Sequence, residues 1–422
     1  MNSFNFIFAN LVLIIAYIFI ALEKIPRVVV ALLGASAILV TRVITQEEAF
    51  EYVDFNVIFL LVGMMILVNI LKHTGAIKWY SIFIAKKTNG NPVLLLFYFS
   101  IFTAVLSAFL DNVTTVILIA SVTLYIANEL KLNPVPFLIS EIIASNVGGT
   151  ATLIGDPPNI MIGSAANLDF NQFIIHICPL VVLVFPIVLL TLYFLYKKEL
   201  VISKEARKKL SSMPLDGVIT NKSLMIKSLI VISLVLIGFL FHGVLHLEAG
   251  TIAITGASLL LVFENKKHIW DDVEWTTIFF FIGLFIMVGA VEKVGTIDYL
   301  SELVFKITKG DFKTTTLALI WFSAIVSAIV DNIPFTATAI PLINDLGKHY
   351  TNLNPLWWSL VVGAGFGGNI TIIGAAANVL ISDQAKRAGH PISFFEYFKV
   401  GALIGIETLT LSTIYIWLRY LH

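Results

Sequence analysis

Gly148-Gly149-Thr150-Ala151-Thr152-Leu153-Ile154-Gly155-Asp156-Pro157-Pro158-Asn159 is the stretch that decides the fold, because its first eight residues come back as Gly367-Gly368-Asn369-Ile370-Thr371-Ile372-Ile373-Gly374 at an offset of 219, with Asn159 falling on Asn378. Paired glycines loosen a helix, and Pro157-Pro158 remove donors and clash with the preceding turn, so each copy predicts a helix broken part-way. Ala375-Ala376-Ala377 stands where the first copy has Asp156-Pro157-Pro158, so the two breaks are not chemically equal. The likeness extends upstream. Ser107-Ala108-Phe109-Leu110-Asp111-Asn112 matches Ser327-Ala328-Ile329-Val330-Asp331-Asn332, and Asp54 to Gly75 matches Glu274 to Gly295, both at an offset of 220. The chain reads as a duplication.

What surrounds these motifs is apolar. Of 422 residues, 58% are apolar and 13% charged, about half the charged share of a soluble domain. A soluble globule cannot hide that much apolar surface, which leaves a polytopic membrane protein. Twenty-seven basic side chains balance 27 acidic ones, so no basic field is available for nucleic acid. Cys178, the single cysteine, excludes an internal disulfide, a cysteine-rich zinc site and a three-thiolate trap for a soft metal. No G-x-x-x-x-G-K-[ST] string occurs, which disfavours an ATP-driven pump working alone.

The fold expected is an all-α polytopic membrane protein of two inverted repeats, with about ten transmembrane helices, two re-entrant helical hairpins and two broken helices. Full spans are read at 5–22, 28–43, 55–71, 137–163, 172–196, 224–243, 250–264, 275–291, 356–385 and 397–418. Hairpins are expected at 93–130 and 312–348, interrupted by the polar clips Asp111-Asn112 and Asp331-Asn332-Ile333-Pro334. The second arm of the later one, 335–348, would measure only about 21 Å as a helix, short for a span. The parts are then a first helix (1–27), repeat 1 (28–196), a cytoplasmic linker (197–223) and repeat 2 (224–422). Placing the linker inside puts 20 Lys and Arg on the cytoplasmic side against 7 outside, with both termini outward. Lys24 and Arg27 follow the first span and no basic residue precedes it, so it is expected as a retained span. Five spans plus the linker separate matching elements, which inverts the second repeat. In such architectures substrate and ion sit near the midplane at broken helices.

Unwound backbone at membrane depth must be buried in protein or line a wet cavity. The tips and breaks are therefore the candidate substrate and ion site. The tips offer Asp111, Asn112, Thr114 and Thr115, then Asp331, Asn332 and Thr336. The first break offers Asn146, Gly148, Gly149, Thr150, Thr152, Asp156 and Asn159; the second offers Gly368, Asn369, Thr371 and Asn378. Carboxylates beside neutral Asn and Thr oxygens suit a hard cation, so sodium is expected near Asp111, Asn112 and Gly149 and near Asp331, Asn332 and Gly368. The plainer alternatives are that the glycines serve helix packing and that the aspartates sit at an aqueous interface. Glu141 and Glu407 are proton-carrier candidates, since ionisable groups inside spans are costly and usually functional. His176 and Cys178 read as packing residues, and 78–87 as an interfacial helix.

Asp111-Asn112-Val113-Thr114-Thr115, the run from Asn146 to Asn159, and Asp331-Asn332-Ile333-Pro334-Phe335-Thr336-Ala337-Thr338 resemble the ion transporter superfamily. They look most like its branch of arsenical pump membrane proteins and the melanosomal P protein, ArsB/NhaD-type permeases with a citrate transporter-like domain. The resemblance covers nearly the whole chain. It implies a scaffold part and a transport part in each repeat, and a homodimer joined through scaffold helices. More distant relatives, the divalent-anion/sodium symporters, hold a substrate carboxylate and a sodium ion at Ser-Asn-Thr tips. Here those positions are Asp111-Asn112-Val113 and Asp331-Asn332-Ile333, and two anionic tips repel a dicarboxylate.

The expected function is a secondary active transporter, not an enzyme. The leading expectation is plasma-membrane efflux of arsenite or antimonite, taken as neutral As(OH)3 through its hydroxyls and coupled to protons or sodium. No cofactor beyond the coupling ion and no nucleic-acid partner is implied; the other partners are the bilayer and a small anion or metalloid. A sodium/proton antiporter, a sodium-coupled di- or tricarboxylate transporter, an ion channel and the membrane subunit of an ATPase complex stay open as alternatives.

Overall fold

The computed structural model describes residues 3–22, 24–201, 215–264 and 267–422; Lys266 and the linker residues Lys204, Arg207, Lys208 and Lys209 lie outside the described residues. Among the described residues every regular element is a helix. Nine are long and apolar enough to cross a membrane. Six of these are predicted full spans: Ser3–Leu22, Phe55–His73, Cys178–Tyr196, Lys222–Leu245, Trp275–Lys293 and Phe394–Tyr420. The other three are hairpin arms, Pro92–Phe109, Asn112–Leu130 and Phe312–Val330. The predicted spans at 28–43 and 250–264 are the short helices Arg27–Val40 and Ala249–Leu261. The span expected over 172–196 divides at Ile177 into Phe170–His176 and Cys178–Tyr196, because Pro179 starts a new helix more readily than it continues one. Helix starts are fixed by side chains. Asp54 accepts from the N–H groups of Asn56 and Val57, Asn91 from those of Val93 and Leu94, and Ser393 forms a capping box with Glu396.

The two halves interlock crosswise. Arg27–Val40 packs on Trp275–Lys293 of the other half, and Ala249–Leu261 packs on Phe55–His73. Small residues let these pairs approach: a Cβ on Gly283 would lie 2.8 Å from the Ala31 backbone, and one on Gly63 2.6 Å from that of Ala253. Ser3–Leu22 lies on Arg27–Val40 and Trp275–Lys293 as Lys222–Leu245 lies on Ala249–Leu261 and Phe55–His73. The first helix thus packs in its half as Lys222–Leu245 packs in the other. These six helices form a scaffold.

A second cluster repeats the pattern. Pro92–Phe109 packs on Val135–Gly149, and Phe312–Val330 on Asn354–Gly367. Asn112–Leu130 packs on Ala376–Arg387, and Asn332–Leu346 on Pro157–Ala166, again crosswise between halves. Every residue of Val135–Gly149 is buried, so the break that follows it has protein all round. Ala76–Lys87, expected from the sequence as a helix over 78–87, and its copy Thr296–Ile307 pack on the returning hairpin arms.

Both tips are interior. Asp111, Asn112, Asp331 and Asn332 are 2–7% exposed, so the aqueous-interface reading fails. The tips differ in how they turn. The first uses Leu110 and Asp111, both at negative φ, whereas the second turns on Asp331 alone, at φ +90°. A non-glycine residue held there costs about 1–3 kcal/mol and persists only when its surroundings over-determine it.

Gly148, Gly149, Gly367 and Gly368 are absent from the positive-φ residues. They keep backbone any residue can adopt, which corrects the expectation that they supply unusual conformations for an ion. What they supply is room: a Cβ on Gly148 would lie 2.2 Å from the Ala104 carbonyl oxygen, and one on Gly149 2.7 Å from that of Gly155. Gly149→Val is therefore expected to lower the melting temperature of the purified protein, overpacking of this kind costing about 1–3 kcal/mol. An unchanged melting curve with transport lost would return Gly149 to a direct role in ion binding.

Candidate functional site

Each break frees carbonyls that lipid could not satisfy, and one asparagine in each repeat takes them. The Asn159 amide donates to the carbonyls of Gly149 (3.1 Å) and Thr152 (2.8 Å), and that of Asn378 to Gly368 (2.7 Å) and Thr371 (2.9 Å). Hydroxyls tie the breaks to the hairpins in the same duplicated way. Ser107 donates to the Ser145 carbonyl and Ser327 to that of Ala364, both at 2.8 Å. Thr152 donates to the Ala108 carbonyl and Thr371 to that of Ala328. Thr150 donates to the Asn146 carbonyl at 2.8 Å. These predicted site residues thus direct their donors at backbone and hold the breaks open.

The tips converge on one carboxylate. Asn112 donates to Asp156 Oδ1 and Asn332 to Asp156 Oδ2, each at 3.1 Å, so a single residue of the first break clasps both hairpins. The matching position in the second break is Ala375. Beside this clasp, the amide of Asn146 donates to Asn369 (3.0 Å) and Asn378 (2.9 Å), joining the two broken helices. Asp111 Oδ1 accepts the Thr114 N–H at 2.9 Å, while Asp111 Oδ2 has no partner. Asp331 Oδ1 accepts the Ile333 N–H at 3.0 Å, and Oδ2 pairs with the Arg27 guanidinium at 2.9 Å.

Buried polar atoms are normally paired. Here Asp111 Oδ2, Asn112 Oδ1, Thr115 Oγ1, Asn146 Oδ1, Thr336 Oγ1 and Asn369 Nδ2 are not. Five of these six are oxygens on tip or break residues, the donor type a hard cation takes. A cavity of about 410 Å³ reaches Asp111, Ile333 and Pro157 from the side of Arg27 and Glu274. Its remaining wall is largely apolar, including Met65, Phe280 and Leu380.

Glu141 and Glu407 stand apart from the clasp. Thr123 donates to Glu141, whose other oxygen is buried without a partner, and Thr191 donates to Glu407 at 3.0 Å. His176 stacks on Trp358 with ring centres 5.1 Å apart and lies 2.6 Å from the Tyr420 hydroxyl, a packing role. Arg27, Glu274 and Tyr17, whose hydroxyl donates to the Pro334 carbonyl at 2.6 Å, were missed by sequence reasoning. Glu274 had a signal, since it aligns with Asp54. Arg27 counted only as a topological charge, although it heads a helix of just 14 residues.

With this geometry in view, similarity to known proteins is informative. The sequence profile described as citrate transporter (CitMHS) matches residues 17–363. An uncharacterized transporter of Mycobacterium tuberculosis is 41% identical over 421 residues, covering 97% of each chain. The human P protein is 30% identical over 499 residues, covering 97% of this chain and 59% of the P protein. Among solved structures, the YdaH transporter of Alcanivorax borkumensis superposes with a TM-score of 0.56 over 86% of this chain and 85% of its own, at 13% identity, a likeness of fold alone. The chain belongs to the citrate transporter family, within the ion transporter superfamily, and is a multi-pass membrane transporter.

Proposed function

We propose that this chain is a plasma-membrane secondary transporter that couples proton or sodium movement to a neutral or weakly acidic solute, with arsenite or antimonite efflux as the leading case. The observation that carries this reading is the clasp: both hairpin tips are hydrogen-bonded to the buried Asp156, with Asp111 and Asp331 beside it. Ionised carboxylates in so dry a place need counter-charges, and Arg27 supplies one. The rest come from bound cations or protons. The citrate transporter description of the family favours a second reading, sodium-coupled di- or tricarboxylate transport. Against it, Arg27 is the only cationic side chain among the described residues that line the cavity and already holds Asp331, while Asp111 and Glu274 face the same space. A sodium/proton antiporter would use the same carboxylates. No catalytic step is assigned, and an ATPase partner and a scaffold-joined homodimer are further proposals.

In the inverted topology the cavity beside Arg27 opens to the cytoplasm and both termini face outward. Cysteine placed at Asn89 and at its copy Lys309, exposed at the entries of the two hairpins, in a Cys178→Ser background is then expected to react with impermeant thiol reagents from the cytoplasmic and external faces respectively. Labelling of both from one face would overturn the inversion. In proteoliposomes, arsenite flux under an imposed proton or sodium gradient is expected for the wild type, and Asp111→Asn is expected to abolish it with the protein still folded. If Asp111→Asn keeps coupled flux, or takes up citrate or succinate faster than the wild type, the carboxylate-transport reading takes its place.

A further inference from the structure

The tips carry the same Asp-Asn pair, yet the scaffold treats them differently. The second tip is held by Arg27 at Asp331 (2.9 Å) and by Tyr17 at Pro334 (2.6 Å). Arg27 is the first residue of Arg27–Val40; the copy of that helix, Ala249–Leu261, begins with alanine, and Tyr17 falls on Ile237. The first tip therefore has neither partner, and Asp111 Oδ2 is buried with no hydrogen bond. Asp331 alone takes the strained φ of +90°. Its surroundings hold it there, and the Arg27 pair is part of what they offer.

We infer that Arg27 is a tethered counter-ion, occupying in the second repeat the place of a cation that the first repeat must bind from solution, so that Arg27 sets how many free cations the protein takes up. The inference rests on the cation-coupled reading above. The charged groups around the junction are Arg27, Asp111, Asp156, Asp331 and Glu274, with Lys72 beyond Glu274. One guanidinium faces four carboxylates, so removing it leaves Asp331 to recruit its own cation. Removing Asp331 alone leaves a half-buried guanidinium whose charge opposes a cation at Asp111. Removing both restores the original balance. Asp111 has no such tethered partner, so its loss cannot be compensated at Arg27.

The test measures the melting temperature of the full-length protein in lipid nanodiscs against sodium chloride, with choline chloride holding ionic strength, repeated across a pH series. The slope against the logarithm of sodium or proton concentration counts the ions bound on folding. Arg27→Gln is expected to take up about one more ion than the wild type, whereas Arg27→Lys keeps the wild-type count. Asp331→Asn is expected to move sodium or proton stabilisation to higher concentration, because the guanidinium left behind repels a cation at Asp111. The double variant Arg27→Gln/Asp331→Asn should recover the wild-type dependence, and Arg27→Gln should not rescue Asp111→Asn. An unchanged ion count in Arg27→Gln, or a double variant no better than Asp331→Asn, overturns the inference while leaving cation coupling intact. If Arg27→Gln alone does not fold, the comparison of Asp331→Asn with the double variant decides. A wild type stabilised by neither sodium nor protons overturns cation coupling and this inference together.

Discussion

Hydrocarbon offers nothing to a freed backbone carbonyl, and this chain interrupts its helices at four places inside its own core. That constraint accounts for most of the architecture. Each interruption has to be wrapped in protein, which the crosswise packing achieves: the returning arm of each hairpin lies on the second half of the opposite broken helix. Each freed carbonyl has to meet a donor, and Asn159 and Asn378 do this with one side-chain amide apiece. Three threonines that look like ligands in the sequence, Thr150, Thr152 and Thr371, are committed to backbone carbonyls in the same way. What is left over, a handful of unpartnered oxygens around Asp111, Asn112, Thr115, Asn146 and Thr336, is the part of the junction free to meet a solute or an ion.

Charge sets the second constraint. Asp156 accepts one side-chain amide hydrogen bond from each hairpin, so any change in its charge acts on both tips at once. Arg27 belongs to the scaffold and Asp331 to a hairpin, and their ion pair therefore crosses the boundary along which the two clusters would slide. Exposed salt bridges contribute little, and the Arg27 side chain is 31% exposed, but its partner carboxylate is only 6% exposed, so withdrawing the guanidinium would strand a buried charge.

The sequence was legible wherever both copies keep the same residue for the same local reason. The Asp-Asn tips, the paired glycines and the single asparagine after each break recur because each repeat has the same carbonyls to satisfy, so the breaks lie where they were read. Pairing across the halves was not legible. Arg27 and Asp331 are 304 residues apart in the chain, and nothing local to either distinguishes Arg27 from the other basic residues at helix ends. The glycines were ambiguous because closeness and conformational freedom call for the same residue; only the distance to Ala104 and Gly155 separates the two.

Where the halves disagree, their meeting point gives a reason. Near the axis relating two repeats, a residue and its copy compete for one space, so both cannot be large. Asn146 reaches across to Asn369 and Asn378, and its copy is Gly365, where a Cβ would come within 2.4 Å of the Thr150 hydroxyl. Likewise one carboxylate, Asp156, suffices for both tips; a second at Ala375 would add a like charge to a junction already short of cations. The departures from the repeat at Asn146 and Asp156 therefore have a physical origin. Where the copies meet the chain is chemically asymmetric: the first half carries the shared carboxylate and the guanidinium, and the second carries the strained tip that the guanidinium holds.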